Sequence, residues 1–214
     1  VLTGSSYSVS NATGTTTISA ILGGSGDLTK TGAGTVVLSN NNTYTGATTI
    51  SAGTLSVTGS LSDSTAVSVA SGATYNVGAS DTIAALTGAG NVTLNSYTLT
   101  LGNASGTYSG VMSGTGGLTV SGGSQTLSGA NTYTGATTVS GGTLSLGAND
   151  VIADSSALTV SGGTFAVGTY SDTVGAVSLS SGSITGTTGV LTGSSYSVSN
   201  ATGTTTISAI LGGS

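Results

Sequence analysis

The octamer Asn-Thr-Tyr-Thr-Gly-Ala-Thr-Thr occurs twice without change, at residues 42–49 and at residues 131–138. It opens a longer match, in which NTYTGATTISAGTLSV at residues 42–57 corresponds to NTYTGATTVSGGTLSL at residues 131–146. Only apolar or small residues exchange between the two segments. Such a match indicates a structural unit that has been copied along the chain.

The match extends beyond the octamer, and its cores cover residues 21–57 and 111–146. Downstream of the octamer, Asp81-Thr82-Ile83 matches Asp172-Thr173-Val174. The copied unit is therefore about ninety residues long, which is much longer than a single supersecondary element.

A second repeat is exact, because residues 190–214 are identical to residues 1–25. We interpret residues 1–189 as one full tandem repeat that contains two copies of the ninety-residue unit, and residues 190–214 as the start of the next repeat. Because each copy of such a repeat stacks on its neighbour, we expect one continuous solenoid within a longer tandem array.

Composition favours an all-β structure. The 214 residues include 38 Gly and no Pro, Cys or Trp, and the mean hydropathy of +0.36 gives enough apolar surface for a core. Helix formers are scarce, whereas apolar residues alternate with Ser and Thr, as at Leu55 and Val57 or at Val92 and Leu94. Short alternating runs between Gly-rich turns predict a parallel β-helix, with roughly twenty residues per coil and about nine coils, or 40 Å, per 189-residue period.

The stretch GSGDLTKTGAGTVVLSNNNTYTGATTISAGTLSV, residues 24–57, resembles the passenger-associated repeat of bacterial autotransporters. The second copy departs from the pattern where Val120 replaces Lys30 and where Ser124-Gln125 replaces the expected Gly-Thr. The resemblance implies a right-handed parallel β-helix that is exported through the outer membrane. It also implies that the chain is extracellular or lies on the bacterial cell surface.

The charge of the chain argues against nucleic-acid binding. With one basic residue, six acidic residues and no His, the chain lacks the clustered Lys and Arg that nucleic acid requires. No apolar run approaches the roughly twenty residues that span a membrane, so we expect no membrane insertion of this segment. The absence of Cys suits export through a pore, although it suits a reducing compartment equally well.

The candidate chemical residues have ordinary structural explanations. Lys30 ends a predicted strand and is expected to extend its ammonium out of the core, while a Ser/Lys nucleophilic pair is the minor alternative. Asp150 and Asp154 are expected to cap turns, and a glycosidase carboxylate pair or a calcium site is again the minor alternative. We therefore predict no enzyme activity and no catalytic, cofactor-binding or metal residues.

The residues of the octamer are predicted to be structural. The asparagines should close a turn through hydrogen bonds to backbone, and the tyrosines should pack at a corner with the hydroxyl at the surface. Sugar stacking by the tyrosines is the alternative. The motif residues are Asn42, Tyr44, Gly46, Asn131, Tyr133 and Gly135.

These features favour a structural role, in which an extracellular β-helix acts as a surface fibre, stalk or filament. Its expected partner is the protein itself, through end-to-end or lateral association. The alternative is an adhesin whose lateral face binds glycans or other cells. A polysaccharide-acting enzyme is a third class, but it would need clustered Asp residues and a basic partner.

Overall fold

The computed structural model of the protein describes residues 1–200 and 204–213. Within these residues the chain forms 25 strands and no helix. The strands pair in parallel with strands one coil further along, as Leu28 does with Thr48. The result is a β-solenoid of about 11 turns, which confirms the predicted all-β parallel β-helix. Residues 201–203 and 214, which belong to the predicted second tandem repeat, lie outside the described residues.

The strands follow one another around the coil, and the longest of them bend across two or three faces. Their bounds are β1 Leu2–Thr3, β2 Ser6–Ser10, β3 Thr15–Ile18, β4 Leu22–Gly23, β5 Asp27–Thr31, β6 Thr35–Leu38, β7 Thr48–Ile50, β8 Thr54–Val57, β9 Ala66–Val69, β10 Thr74–Val77, β11 Asp81–Ile83, β12 Ala85–Gly88, β13 Asn91–Asn95, β14 Leu99–Leu101, β15 Ala104–Tyr108, β16 Met112–Gly114, β17 Leu118–Val120, β18 Gly123–Leu127, β19 Thr137–Val139, β20 Thr143–Leu146, β21 Leu158–Gly168, β22 Asp172–Gly186, β23 Val190–Val198, β24 Thr205–Ile207 and β25 Ile210–Gly213.

Each coil has three faces, and matched positions on each face form a stack along the axis. Stack 1 contains Leu2, Leu22, Asn42, Leu61, Asp81, Leu99, Leu118, Thr137, Leu158, Val177 and Tyr196. Stack 2 contains Tyr7, Leu28, Thr48, Val67, Leu86, Gly106, Gln125, Leu144, Phe165, Ile184 and Ile207. Stack 3 contains Thr16, Val36, Leu55, Tyr75, Val92, Met112, Asn131, Ile152, Asp172, Leu191 and Leu211.

The core follows from the alternation of side chains along each strand. In β14, for example, Leu99 and Leu101 are fully buried while Thr100 between them faces outward. Burying one such Leu or Val side chain stabilises the fold by about 1.5–3 kcal/mol relative to leaving it exposed. Thr100 in turn belongs to an outer row of hydroxyls that includes Thr82, Thr119 and Thr138. The described residues contain no helix of the length and apolar character that crossing a membrane requires.

The repeated corner as candidate functional site

The first asparagine of the octamer joins three consecutive coils. Asn42 is 3% exposed, and its Oδ1 accepts a hydrogen bond of 3.0 Å from the backbone N–H of Leu22 on the preceding coil. Its Nδ2 donates to the carbonyl of Asn40 at 2.7 Å and to that of Ser60, on the following coil, at 3.1 Å. The corner lacks regular strand pairing, so the side chain supplies partners that backbone groups would otherwise lack.

The second asparagine repeats this arrangement. Asn131 Oδ1 accepts from the N–H of Met112 at 2.8 Å, and Nδ2 donates to the carbonyls of Gly129 at 3.0 Å and Val151 at 2.7 Å. The predicted hydrogen bonds from the two asparagines to backbone are therefore present. An Asn side chain suits the position because it both accepts and donates.

The tyrosines of the octamer are entirely inside the solenoid. Tyr44 and Tyr133 are each 0% exposed, and each hydroxyl lies 2.6 Å from the Oγ1 of a buried threonine, Thr48 or Thr137. Burial raises the pKa of both phenols well above the usual range, so both remain neutral. The expectation of hydroxyls at the surface was wrong, because a buried threonine supplies the hydrogen-bond partner that water would have supplied. These two rings are also unavailable for sugar stacking.

In the second copy, the hydroxyl pair extends to the next coil. Thr137 Oγ1 lies 3.2 Å from Ser156 Oγ, which donates to the carbonyl of Gly135 at 2.7 Å. In the first copy, Thr65 stands in the corresponding place and donates to the carbonyl of Tyr44 at 2.9 Å. Both copies thus use buried hydroxyls to join the octamer to the coil that follows it.

The glycine of the octamer marks a close approach between coils. A Cβ at Gly46 would lie 2.3 Å from the carbonyl oxygen of Gly26, and one at Gly135 would lie 2.4 Å from that of Gly116. Both distances are far below van der Waals contact, and the obstructing atoms belong to backbone. Only Gly fits here without moving the neighbouring coil.

Two aspartates bind the coil that follows each octamer, from the side opposite the asparagine. Asp81 is 8% exposed, and its Oδ2 accepts from the N–H of Leu61 at 2.8 Å. Asp172 is 2% exposed, and its Oδ2 accepts from the N–H groups of Val151 and Ile152 at 3.1 and 3.0 Å. Burial raises the pKa of Asp81 to about 6 and that of Asp172 to about 7, despite the opposing effect of these hydrogen bonds. A nearby carboxylate, Asp63 or Asp150 respectively, adds to the increase.

In each copy, the asparagine and the aspartate therefore hold the coil between them from both sides. We call this arrangement the Asn–Asp clamp, formed by Asn42 with Asp81 and by Asn131 with Asp172. The asparagine donates to a carbonyl of the intervening coil, and the aspartate accepts from an N–H of the same coil. The clamp satisfies backbone groups at a corner where Leu61 or Ile152 is buried without strand pairing.

Sequence reasoning missed the roles of Asp81 and Asp172, although the repeat carries a signal for both residues. Asp81 and Asp172 occupy matched positions in a chain with only six acidic residues. Their partners lie about 20 residues earlier, so coil length had to be known before the carboxylates could be assigned to particular N–H groups. An exact match of a rare residue type was the available clue.

Lys30 also differs from its expected position. Its side chain is 0% exposed, and Nζ donates to the carbonyls of Thr31 at 2.8 Å, Gly32 at 2.7 Å and Ala52 at 3.0 Å. Burial lowers the pKa of the ammonium. The expectation that the ammonium leaves the core was wrong, because three carbonyls of the corner replace its hydration. Three donated hydrogen bonds require the protonated ammonium, which has no lone pair to accept a proton from a serine nucleophile.

Asp150 and Asp154 lie at the surface in a turn region of the chain. Asp150 and Asp154 are both exposed, and Asp150 has a positive φ of 52°, a turn conformation that Asp tolerates. Across residues 1–200 and 204–213, no three His, Cys, Asp or Glu side chains are grouped so as to hold a metal ion. A shallow groove of about 330 Å³ lies beside Asp81, and hydroxyls of Ser80, Thr82, Thr98 and Thr100 line it together with Asp63.

One known protein family matches the two segments that contain the octamer corners. Residues 28–57 and 122–146 match the passenger-associated-transport-repeat family. Comparison with curated proteins found no match, and comparison with solved structures found none either. The two matching segments lie on the β-solenoid within the motif cores 21–57 and 111–146, where the sequence resemblance placed the passenger-associated repeat. A passenger-associated repeat of autotransporters implies secretion to the cell surface or the extracellular space.

Proposed function

We propose that this chain is a segment of an extracellular structural rod, a surface fibre, stalk or filament without enzyme activity. The observation that carries the proposal is the position of the most closely copied residues. The asparagine, tyrosine and glycine of both octamers lie inside the solenoid or against a neighbouring coil. The sequence that is copied without change is thus the sequence that joins coil to coil.

The geometry suits a stiff structural element. Each coil is bonded to both neighbours by parallel backbone ladders, and the Asn–Asp clamps add side-chain bonds where the ladders are interrupted at corners. In a solenoid each repeat contacts only its neighbours, so length can increase without any change to the core. Eleven coils spaced about 4.8 Å apart give a rod about 50 Å long.

The same geometry suits export of an unfolded chain. A coil needs only the coil before it as a template, so folding can proceed along the chain as it emerges from a pore. No cysteine is present to form a disulfide before passage. The folded rod therefore lies outside the cell, with the protein itself as its principal partner.

Electron microscopy of the native secreted material, together with the mass of the intact polypeptide, tests this proposal. We expect unbranched rods whose length increases by about 4.8 Å for each coil of the chain. A variant that lacks residues 99–117, one whole coil between the paired residues Leu99 and Leu118, removes no clamp residue and should be shorter by one coil and otherwise unchanged. Compact particles whose dimensions do not depend on chain length would contradict a structural rod.

A second candidate function is glycan adhesion, and the groove beside Asp81 favours it. Its hydroxyls and the Asp63 carboxylate can exchange hydrogen bonds with sugar hydroxyls. Tyr97, which is 37% exposed and precedes Thr98, offers an aromatic ring for stacking. Glycan-array binding by the whole chain that is lost in Tyr97→Ala and Asp63→Asn, but not in Thr159→Val, would favour adhesion. Binding that is absent or equal in all four proteins would count against this groove.

A further inference from the structure

We infer that successive 189-residue copies are turned by about a third of a turn around the rod axis, so that any lateral surface recurs on all three sides of the rod. The inference rests on the positions of the identical segments 1–25 and 190–214 within this one chain. Its consequence for association rests on the proposed function as a self-associating rod.

Identical residues occupy different faces in the two segments. Leu2 lies in stack 1, whereas its counterpart Leu191 lies in stack 3 and pairs with Asp172. Tyr7 lies in stack 2 and pairs with Leu28, whereas its counterpart Tyr196 lies in stack 1 and pairs with Val177. The paired residues that the structure describes in the second segment therefore lie one face earlier than their counterparts in the first.

The displaced segment keeps its own contacts, so the shift is not a local misfit. The Tyr7 hydroxyl lies 2.6 Å from the Leu2 carbonyl and also contacts the Gly23 carbonyl. The Tyr196 hydroxyl lies 2.7 Å from the Leu191 carbonyl and 2.6 Å from that of Gly212. The same sequence thus forms the same corner on a different side of the rod.

The path of the chain between the copies explains the displacement. From Leu2 the chain completes nine coils along stack 1, reaching Val177, and then passes Ile184 in stack 2 before it reaches Leu191 in stack 3. The period is therefore nine and two-thirds coils. At about 4.8 Å per coil this gives about 46 Å per copy, rather than the 40 Å expected from nine coils.

The ninety-residue unit shows the same displacement inside one copy. Asn42 and its counterpart Asn131 lie in stacks 1 and 3, and Thr48 and Thr137 lie in stacks 2 and 1. The chain takes four and two-thirds coils between them. The two passenger-associated repeats therefore already face different sides of the solenoid.

This displacement determines how the rod meets its partners. A whole number of coils would place equivalent surfaces in one line and would favour ribbons or flat layers. A shift of one face places the same surface on the three sides in turn, returning to the first side after three copies, about 140 Å. Rods that associate laterally through one patch would then bond in three directions and form bundles.

The test uses the chain extended by three further copies, with Asn103→Cys in every copy as the only cysteine. Asn103 is exposed, and the native chain has no Cys. After labelling with maleimide gold clusters, electron cryotomography should show clusters about 46 Å apart that step around the rod by about a third of a turn. Clusters that remain in a single line along one side would overturn the inference.

A matched control separates this step from the gradual twist of stacked strands. Deleting residues 81–98 from each copy removes one coil, which is three faces. The spacing should fall to about 42 Å, and the angular step should change only by the twist of one coil. An angular step that changes by a whole face on this deletion would also refute the three-face count. Rods with the expected step that do not bundle would refute the association while leaving the screw geometry intact.

Discussion

Buried Asp172 should make the fold more stable in mild acid than at neutral pH, and Asp172→Asn should remove much of this dependence. The folded-state pKa of about 7 lies above the value of about 3.9 for an unfolded Asp. A group whose pKa is raised by folding binds more protons in the native state. Its stabilising effect is therefore complete below about pH 4 and is lost as the pH rises through about 7.

The magnitude follows from the size of this difference. Three pKa units at about 1.36 kcal/mol each give up to about 4 kcal/mol of stability lost between pH 4 and pH 8. An Asn at this position keeps an oxygen that can accept from Val151 and Ile152, but Asp172 Oδ1 is buried without a partner. An amide nitrogen in its place would cost about 1–3 kcal/mol. At pH 8 the substitution should thus be stabilising by about 1–3 kcal/mol.

Urea unfolding of the whole chain, followed by circular dichroism at pH 4, 6 and 8, provides the measurement. Asp172→Asn should raise the unfolding midpoint at pH 8 and leave it equal or lower at pH 4. Asp154→Asn, which removes an exposed carboxylate, serves as the control for net charge. If the wild type became more stable between pH 4 and pH 8, or if Asp172→Asn kept the wild-type pH dependence, the argument from burial would be refuted.

Two further substitutions and one labelling experiment test the packed corners. Gly135→Ala should destabilise the chain by more than about 2 kcal/mol in urea unfolding, because its Cβ would lie 2.4 Å from the Gly116 carbonyl oxygen. Gly102→Ala is the control and should be nearly neutral, because the nearest atom to its Cβ would be 3.5 Å away. Tyr44→Phe should lower the free energy of unfolding by about 1–2 kcal/mol, because it leaves the Thr48 hydroxyl buried and unpaired. Adding Thr48→Val should restore part of that loss. An equal loss in the double variant would argue against the hydroxyl pair. Lys30 should resist acylation by an amine-reactive ester in the folded chain and react after unfolding in urea, because its side chain is fully buried. Mass spectrometry measures this labelling. Rapid labelling of Lys30 in the native protein would place the ammonium at the surface.

The sequence alone determined the architecture of this protein. Alternation with a period of two fixed which side chains enter the core, as at Leu55 and Val57. The copied octamer located the corners, and the turn chemistry of Asn predicted that Asn42 and Asn131 bond to nearby backbone, as they do to the carbonyls of Asn40 and Gly129. These features depend on residues that are close in sequence, so a single segment contains the information.

Only the tertiary structure decided which residues meet between coils. Asp81 reaches Leu61, and Lys30 reaches Ala52, across about one coil of chain. Coil length is not constant, since Thr74 pairs with Asn91 after 17 residues whereas Thr137 pairs with Leu158 after 21. The face on which a copied residue lies depends on the sum of these lengths, so the third-of-a-turn displacement emerges only when the coils are stacked.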